Sequence, residues 1–464
     1  MAEALQAFSE TPVYLLWMIF LGAFPVITAM LAVDSSRRFV LDREDGKLGI
    51  LPGERDLDRA REEFGLLSVL ISARNEEALI GATIESVLGL DWPGIELFIV
   101  DDGSTDGTFE VAKSFIRDPS PEGDHLAGQA RARESARIHL IRHHQSTGKA
   151  TALDELLPMT EGGLVLVLDA DGRPDRRVIE LMAPHFVRYP NLGAVTGNPR
   201  VANTDTILAR LQAIEFASTV AVLRRAQAGW GRINTCSGVC TLYRRRALVE
   251  VGGFDPYAAT EDIMISWQLQ MKGWDIFYEP RALFAMRVPA RVRNLFRQRR
   301  RWGRGLGEVL RVFGPSLFRR SSYRMWPIAL EGFLSIVWCF LLVLAVAFWA
   351  VAASVGVPGL GNSPLLDHWG IIIVIISILQ IVWGVRIDAP EDPEVSRMLW
   401  VAPLYPLFYW LFNSAASVSG SVQGLILGPS RKVPGAWNPD RIEAHSDEAA
   451  RAGTRHRERE GSHS

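Results

Sequence analysis

Two aspartates, Asp169 and Asp171, follow the apolar run at residues 164–168, and this placement constrains the fold more than any other feature of the chain. An uninterrupted apolar run of that length predicts a buried strand of a parallel sheet. The carboxylates then lie at the carboxyl end of the strand, where open α/β sheets bind their ligands. Adjacent carboxylates repel one another unless a cation lies between them, and hard oxygen ligands favour Mg²⁺ or Mn²⁺. The sequence therefore predicts a metal-bound nucleotide at this edge.

Short apolar runs alternate with helical patterns from residue 64 onward. Four such runs are each followed by a polar turn: residues 66–71, 96–100, 138–141 and 164–168. This alternation is typical of βαβ units, so we predict an α/β fold with a mostly parallel sheet. The segment 117–137 interrupts the pattern with prolines, glycines and eight arginines or acids, which predicts an exposed loop.

Apolar runs on both sides of this region predict membrane helices. Residues 13–33 form an uncharged run of 21, which is long enough to span a bilayer and has no small-residue cleavage pattern after it. Three more candidate spans follow the α/β region: residues 333–355, 369–385 and 398–427. The last of these contains small polar residues at 414–421, so a re-entrant segment is an alternative there.

Charges beside the apolar runs predict the orientation of the chain. Two acids precede the first run, and Arg37 and Arg38 follow it, so the positive-inside bias places the α/β region in the cytosol. Arg431 and Lys432 after the last run favour a cytosolic tail, although four spans would place that tail outside. The three cysteines lack the spacing of metal ligands and are too few for a disulfide scaffold, which fits a reducing compartment.

A basic amphipathic segment covers residues 291–320, where apolar side chains at helical spacing alternate with ten arginines. Such segments lie in the headgroup plane of a membrane, which makes membrane lipids a predicted partner. The alternative is a solvated charged helix, which would leave large apolar side chains exposed. The segment contains Gln298-Arg-Arg-Arg-Trp302, whose guanidinium groups could bind a diphosphate and whose indole could stack on a sugar ring.

Several polar residues elsewhere have the chemistry of a nucleotide site, and each also has a plain structural alternative. Asp101 and Asp102 end the second predicted strand and suit hydrogen bonds to a base or ribose, but also an ordinary turn and helix cap. Lys149 could donate to a phosphate oxygen or lie on the surface. Glu261 and Asp262 could face the crevice, where one would take a proton from a hydroxyl group, or simply occupy the first turn of a helix.

Taken together, these motifs resemble the processive family 2 glycosyltransferases, which include cellulose, chitin, hyaluronan and poly-N-acetylglucosamine synthases. The shared signature consists of Asp101-Asp102, Asp169-Ala-Asp171, Thr260-Glu-Asp262 and Gln298-Arg-Arg-Arg-Trp302. The bacterial poly-β-1,6-N-acetyl-D-glucosamine synthases are similar in further segments: Thr196-Gly-Asn-Pro-Arg200, Ser237-Gly-Val239, Tyr243-Arg-Arg-Arg-Ala247 and Trp437-Asn-Pro-Asp-Arg441. The resemblance covers residues 64–441.

The resemblance implies roles for individual residues. Asp102 would contact uridine, Asp169 and Asp171 would hold UDP with its Mg²⁺ or Mn²⁺, and Asp262 would be the general base. The other implied substrate-binding residues are Glu76, Lys149, Ser237, Gly238, Glu261, Gln298, Arg301 and Trp302. The chain departs from many relatives at Arg74, where they carry an aromatic residue, and in having one predicted span before the catalytic domain instead of two.

The resemblance also implies a domain organisation around a GT-A type catalytic domain. The predicted parts are a transmembrane anchor (1–36), a connector (37–63), the cytosolic GT-A domain (64–290), amphipathic interface helices (291–326), a C-terminal transmembrane region (327–428) and a polar, partly disordered tail (429–464).

The implied function is that of a multi-pass cell-membrane enzyme with its catalytic domain in the cytoplasm. It would be a processive, inverting glycosyltransferase that polymerises N-acetylglucosamine from UDP-GlcNAc into a poly-β-1,6-linked exopolysaccharide of biofilms, exports the growing chain and works with a small accessory membrane subunit. The alternatives are a chitin, hyaluronan or cellulose type synthase, a single-addition transferase acting on a lipid carrier, and a nucleotide-binding membrane scaffold. No nucleic-acid partner is predicted.

Overall fold

The computed structural model describes residues 1–45, 52–229, 231–357 and 368–430. The chain folds into two compact units. The sheet unit comprises Pro52–Asn203 and Thr235–Leu295, and the helical unit comprises Met1–Leu51, Thr204–Asn234 and Phe296–Gly428. From position 431 onward the predicted tail lies outside the described residues, together with Arg431, Lys432 and the motif at 437–441.

The sheet unit contains one sheet of ten strands. They are β1 (Leu66–Ala73), β2 (Gly94–Asp102), β3 (Ile116–Glu122), β4 (His125–Ala130), β5 (Arg133–His143), β6 (Leu164–Asp169), β7 (Arg173–Pro174), β8 (Leu192–Val201), β9 (Thr241–Arg244) and β10 (Asp275–Met286). Their order is β3-β4-β5-β2-β1-β6-β9-β8-β10-β7. The central strands β5, β2, β1 and β6 are parallel, as are β8 and β10, whereas β9 is antiparallel to both of its neighbours.

Helices connect and cover the strands of the sheet unit. They are Glu54–Glu63, Ile80–Leu88, Thr108–Lys113, Lys149–Leu156, the 3₁₀ turn Leu157–Met159, Val178–Met182, Pro184–Arg188, Arg245–Val251 and Glu261–Met271. Every residue of β6 is buried, which explains why its sequence is apolar without alternation. All four strands predicted between residues 66 and 168 are present, and the α/β fold with a mostly parallel central sheet is confirmed.

Two strands lie where the sequence predicted a loop, at residues 117–137. β3 and β4 form an antiparallel hairpin on the outer side of β5, with Gly123 at a positive φ of 63° in the turn. Charged residues suit this position because an edge hairpin keeps one face in solvent and its charges oppose pairing with another chain. The few buried residues, such as Ile116 and Ala130, do not produce a recognisable strand pattern.

The parallel register aligns the carboxyl ends of the central strands. Ser72 of β1 is opposite Asp169 of β6, and Asp102 of β2 is opposite His143 of β5. The loops that follow β1, β2, β5 and β6 therefore leave the sheet at the same edge, which we call the carboxyl edge.

The helical unit contains long helices and several short segments. They are Ala2–Ser9, Pro12–Asp45, Ile207–Glu215, the π-helix Phe216–Val220, Ala221–Gly229, Val292–Leu317 from residue 296 onward, the 3₁₀ segment Arg320–Met325, Trp326–Ser354, His368–Asp388, Pro393–Ser396, the 3₁₀ turn Leu399–Val401, the π-helix Tyr405–Tyr409 and Trp410–Leu427. Within the described residues, one helix, Arg320–Ser354, is long and apolar enough to cross a membrane. The pair Ala2–Ser9 and Pro12–Thr28, bent by 65°, raises the number to two if it counts as one span.

The helical unit differs from the sequence prediction in two places. The predicted span 398–427 is not one continuous helix, because 3₁₀ and π segments precede the 18-residue helix Trp410–Leu427. Residues 204–234 cluster with the helical unit, although we predicted them as part of the catalytic domain. Within this segment, Arg225 is buried in an ion pair of 2.7 Å with Asp388 of the helical unit.

Glycines bring two helices of the helical unit into backbone contact. The helices are Val292–Leu317 and Trp410–Leu427, and the glycines are Gly303, Gly307, Gly420 and Gly424. A Cβ atom added at Gly303 would lie 2.8 Å from the carbonyl oxygen of Ser417. Glycines four residues apart on both helices permit this close approach, as they do in many membrane helix pairs. The small residues within the last predicted span thus have a packing function.

Replacing Gly307 by alanine tests this contact. The added methyl group would lie 2.9 Å from the backbone nitrogen of Leu425, so the helices must separate. We expect Gly307→Ala to lower the free energy of unfolding by roughly 1–3 kcal/mol. Gly314→Ala is the control, because position 314 of the same helix faces open space and alanine favours a helix there. Thermal unfolding in detergent measures both variants, and equal melting temperatures would contradict the packing argument.

Candidate active site

Three charged side chains meet at the carboxyl edge. The Nζ atom of Lys149 lies 2.7 Å from Oδ1 of Asp169 and 2.5 Å from Oε1 of Glu261. Lys149 begins the helix Lys149–Leu156, Asp169 ends β6, and Glu261 begins the helix Glu261–Met271. The ammonium group therefore connects segments that are distant in sequence.

Asp262 and Gly238 complete this cluster. The backbone N–H of Gly238 donates a hydrogen bond of 3.2 Å to Oδ2 of Asp262. A Cβ atom at position 238 would lie 2.9 Å from Nζ of Lys149, 3.4 Å from Oε1 of Glu261 and 3.6 Å from Oδ2 of Asp262. A glycine is thus required if all three groups are to approach one point. The structure brings together five predicted site residues: Lys149, Asp169, Gly238, Glu261 and Asp262.

Local backbone structure directs these side chains to the cluster. Gly148, at φ 93° and ψ 151°, adopts a conformation that glycine accepts more readily than other residues and lets the helix begin at Lys149. Thr260 occupies the N-cap position of the next helix but makes no side-chain cap hydrogen bond. The helix N-terminus still favours the charges of Glu261 and Asp262.

The charge of Lys149 is stabilised by its surroundings. Burial lowers the pKa of the ammonium group, but the carboxylates of Asp169 and Glu261 outweigh burial and raise the pKa above its ordinary value. The group therefore remains protonated at neutral pH. The ammonium group of Lys149 thus offsets part of the repulsion among the carboxylates of Asp169, Glu261 and Asp262.

Asp102 orders the turn that leads to Lys149. Its side chain is fully buried, and its carboxylate accepts hydrogen bonds from Thr147 N at 2.8 Å, Gly148 N at 2.9 Å and the hydroxyl of Ser146 at 2.7 Å. Nδ1 of His143 lies 2.9 Å from the same carboxylate. Burial raises the pKa of Asp102, but these hydrogen bonds outweigh burial and lower it below the ordinary value. The uridine contact expected of Asp102 stays a prediction.

Replacing Asp102 tests its contribution to stability. Because its pKa is lowered in the folded state, the charged carboxylate stabilises the fold above pH 3.8, its ordinary pKa, and this contribution is lost as the pH falls further. We expect Asp102→Asn to lower the free energy of unfolding by about 2 kcal/mol at pH 7. The difference from the unmodified protein should shrink below pH 3.8.

Chemical denaturation at several pH values measures this difference. The exposed Asp124 in the β3–β4 hairpin provides the control, because replacing an exposed carboxylate usually changes stability by less than about 0.5 kcal/mol. A gap between Asp102→Asn and the unmodified protein that stays constant from pH 7 to pH 3 would contradict the carboxylate argument.

Asp101 is the other acid of the Asp101-Asp102 motif, and the sequence analysis gave it no role of its own. It is 1% exposed, its Oδ1 accepts a hydrogen bond from Ser104 N at 3.2 Å, and its Oδ2 is buried without a hydrogen-bond partner in the described part of the chain. Burial raises its pKa. Asp101 and Asp102 are adjacent on a strand, so their side chains point to opposite sides. The sequence contained both acids but did not indicate that the side chain of Asp102 is the one that accepts hydrogen bonds from the turn before Lys149.

The loops after β1 and β2 are hydrogen-bonded to each other. The backbone N–H of Glu76 donates to the hydroxyl of Thr108 at 2.8 Å, and Thr105 N donates to Oδ1 of Asn75 at 2.8 Å. Asn75 adopts a positive φ of 55°, which asparagine tolerates better than most residues. Glu76 is 2% exposed, and its substrate contact stays a prediction.

Ser237 lies beside the cluster through its backbone. Its N–H donates to the hydroxyl of Thr196 on β8 at 3.2 Å, and its carbonyl accepts from the hydroxyl of Thr241 on β9 at 2.7 Å. These bonds fix the turn that presents Gly238. The acceptor contact expected of Ser237 stays a prediction.

Gln298, Arg301 and Trp302 lie on the helix Val292–Leu317 in the helical unit, whereas the acidic cluster belongs to the sheet unit. Their predicted contacts with the diphosphate and the acceptor sugar stay predictions. Arg299, which the sequence analysis did not select, lies over the indole ring of Trp302 with its Cζ atom 4.3 Å from the ring centroid.

The donor set at the end of β6 is suited to a hard divalent cation. Asp169 and Asp171 are 7% and 4% exposed and offer oxygen ligands only. Among the residues that the structure describes, no group of three or more histidine, cysteine or acidic side chains is arranged to enclose a metal ion. Proteins nevertheless usually supply only one or two carboxylate ligands to Mg²⁺, and substrate phosphates and water molecules complete its coordination.

Comparison with known proteins places these features in context. Residues 65–305 match the family described as "Glycosyltransferase like family 2". A poly-beta-1,6-N-acetyl-D-glucosamine synthase from Staphylococcus epidermidis is 32% identical over 385 residues, which is 81% of this chain and 87% of that protein. A protein of the same name from Staphylococcus aureus (strain COL) is 30% identical over 356 residues, 76% of this chain and 82% of that protein.

The fold has a solved counterpart. The mannosyltransferase PcManGT from Pyrobaculum calidifontis, in complex with GDP-Man and Mn²⁺, matches with a TM-score of 0.51 and 19% identity, covering 84% of this chain and 99% of that chain. The mixed α/β fold with its mostly parallel central sheet is thus GT-A-like. The chain belongs to glycosyltransferase family 2, and the resemblance inferred from its motifs is confirmed.

Proposed function

We propose that this enzyme polymerises N-acetylglucosamine from UDP-GlcNAc into poly-β-1,6-N-acetylglucosamine and exports the polymer across the membrane. The convergence of Asp169, Glu261 and Asp262 around Lys149 and Gly238 carries the proposal, because this arrangement would suit a base beside a bound nucleotide diphosphate. The choice of sugar and linkage is supported by the two staphylococcal relatives, whose printed names give both.

The proposed reaction is a single displacement with inversion at the anomeric carbon. A hydroxyl group of the growing chain loses its proton to a carboxylate oxygen of Asp262, and its oxygen attacks the anomeric carbon of the donor. The bond from that carbon to the diphosphate breaks, and UDP leaves with the bonding electrons. Asp262 suits this role because the backbone N–H of Gly238 holds its carboxylate in place. The reaction requires no covalent intermediate with the enzyme.

Other residues would bind the donor and the acceptor. Asp169 and Asp171 would hold Mg²⁺ or Mn²⁺, which offsets the charge that develops on the departing diphosphate. Lys149 has a charged ammonium group near these acids and would contact a phosphate oxygen. The remaining donor and acceptor contacts are assigned to Glu76, Asp102, Ser237, Gly238, Glu261, Gln298, Arg301 and Trp302.

The enzyme would be a multi-pass membrane protein with a cytoplasmic sheet unit. The long apolar helix Arg320–Ser354 and the bent pair Ala2–Ser9 and Pro12–Thr28 support membrane insertion. The helix His368–Asp388 would add a further span. Membrane lipids and a small accessory membrane subunit would be its partners, and a polymer made from a cytosolic nucleotide sugar must then cross the bilayer.

A product assay tests the proposed substrate and linkage. Detergent-solubilised enzyme with Mg²⁺ or Mn²⁺ should release UDP from UDP-GlcNAc and form a long polymer that a β-1,6-specific glycosidase digests. Chelation by EDTA should stop UDP release, because the diphosphate then lacks its counter-ion. UDP-glucose serves as the control donor. Digestion by a β-1,4-specific enzyme instead would identify another glycan synthase, and a single added sugar would identify a non-processive transferase.

Replacement of Asp262 tests its role as the base. We expect Asp262→Asn to lower the turnover of UDP-GlcNAc by at least about 100-fold, because an amide cannot take the proton, while UDP binding measured by calorimetry is retained. Asp255→Asn is the matched control, since Asp255 lies in the loop before the same helix and its carboxylate accepts only a local hydrogen bond from Tyr257 N at 2.9 Å among the described contacts. Unchanged turnover in Asp262→Asn would exclude this residue as the base.

A further inference from the structure

Trp302 has a guanidinium group against its indole ring. The Cζ atom of Arg299 lies 4.3 Å from the ring centroid, within the range of a cation–π contact. The two residues are three positions apart on the helix Val292–Leu317, so they are neighbours on its surface. The orientation of the indole therefore depends on where the Arg299 side chain is held.

Arg299 is held by a buried acid. Its Nη2 atom lies 2.5 Å from Oε2 of Glu215 and 3.1 Å from the hydroxyl of Tyr409. The Tyr409 hydroxyl also donates to Glu215 at 2.9 Å, and the amide of Asn413 donates to Glu215 at 3.2 Å. Arg299 and Glu215 are each 6% exposed. The Arg299 guanidinium thus has a fixed place between the indole and an anion.

Irregular helix geometry brings these groups together. Glu215 immediately precedes the π-helix Phe216–Val220, and Tyr409 ends the π-helix Tyr405–Tyr409. π-helical turns are rare and occur frequently at functional sites. Here both irregular turns direct polar groups to the same guanidinium.

We propose that Glu215 is a positioning residue: through Arg299, it fixes the plane of the Trp302 ring on which the acceptor sugar stacks. This inference rests on the proposed function, in which Trp302 binds the acceptor. A buried ion pair is poor at adding stability, since desolvation offsets its attraction. The ion pair instead holds the Arg299 side chain in one geometry. Arginine suits this role because its planar guanidinium group loses little conformational freedom when it is bound. A ring fixed before binding spares the ordering cost when the acceptor arrives.

The kinetic test separates acceptor binding from donor binding. With a soluble β-1,6-linked N-acetylglucosamine oligosaccharide as acceptor, we expect Glu215→Gln to raise the acceptor KM about tenfold and to shorten the polymer. The KM for UDP-GlcNAc should remain unchanged. Asp388→Asn is the matched control, because it removes another buried ion pair of the helical unit, with Arg225, on a different helix. The same change in both variants would mean a general loss of stability and would overturn the inference.

A double-mutant cycle identifies the route of the effect. If Glu215 acts through Trp302, then Glu215→Gln should change the acceptor KM less than twofold in a Trp302→Phe background. An undiminished tenfold effect in that background would overturn the inference. If Glu215→Gln does not accumulate, Tyr409→Phe replaces it, since this variant removes one hydrogen bond from Arg299 and one from Glu215.

A spectroscopic test does not depend on the substrate. In protein labelled with 5-fluorotryptophan, the resonance of Trp302 is assigned by its disappearance in Trp302→Phe. We expect Glu215→Gln to shift or broaden this resonance and Asp388→Asn to leave it unchanged. A Trp302 resonance unaffected by Glu215→Gln would overturn the inference even if the polymer were confirmed. If the spectrum changes but UDP-GlcNAc is not a donor, the positioning of the ring is supported and only the proposed substrate fails.

Discussion

The sheet unit depends on an electrostatic constraint: carboxylates from distant segments must lie close together at one edge of the sheet. Asp169, Glu261 and Asp262 repel one another, and their approach is offset in part by the Lys149 ammonium and by the N-terminus of the Glu261–Met271 helix. Gly238 permits the approach because it has no side chain. In the proposed function, the same edge would bind a divalent cation together with a nucleotide diphosphate.

Much of this site could be predicted because its causes are local in sequence. The uninterrupted apolar run before Asp169 identified a central strand, and the parallel arrangement then predicted that the carboxyl end of this strand lies at the edge where α/β sheets bind ligands. The β3–β4 hairpin and the placement of residues 204–234 could not be predicted, because both depend on partners elsewhere in the fold. A charged sequence gives no indication of whether its charges will meet solvent, a neighbouring strand or a buried counter-ion such as Asp388.

Asp101 and Asp102 show a second limit of the sequence. The motif contains two acids, and strand geometry sends their side chains to opposite sides, so only one can face a given ligand. In the structure Asp102 accepts hydrogen bonds from the turn before Lys149, while Oδ2 of Asp101 is buried without a hydrogen-bond partner among the described residues. The motif thus identifies the family correctly, but the separate roles of its two acids depend on contacts that form only in the folded protein.

In the helical unit, the contact that positions Trp302 continues a line of packing along one side of a helix. Arg299, Gly303 and Gly307 are spaced by four residues and therefore share that side. Arg299 contacts Tyr409, while the two glycines lie against the backbone of the Trp410–Leu427 helix. The glycines prevent the helix from sliding or rotating, because any shift brings backbone atoms into collision. Backbone packing thus fixes the position of the Trp302 backbone, and the Glu215–Arg299 ion pair fixes the orientation of the Trp302 ring.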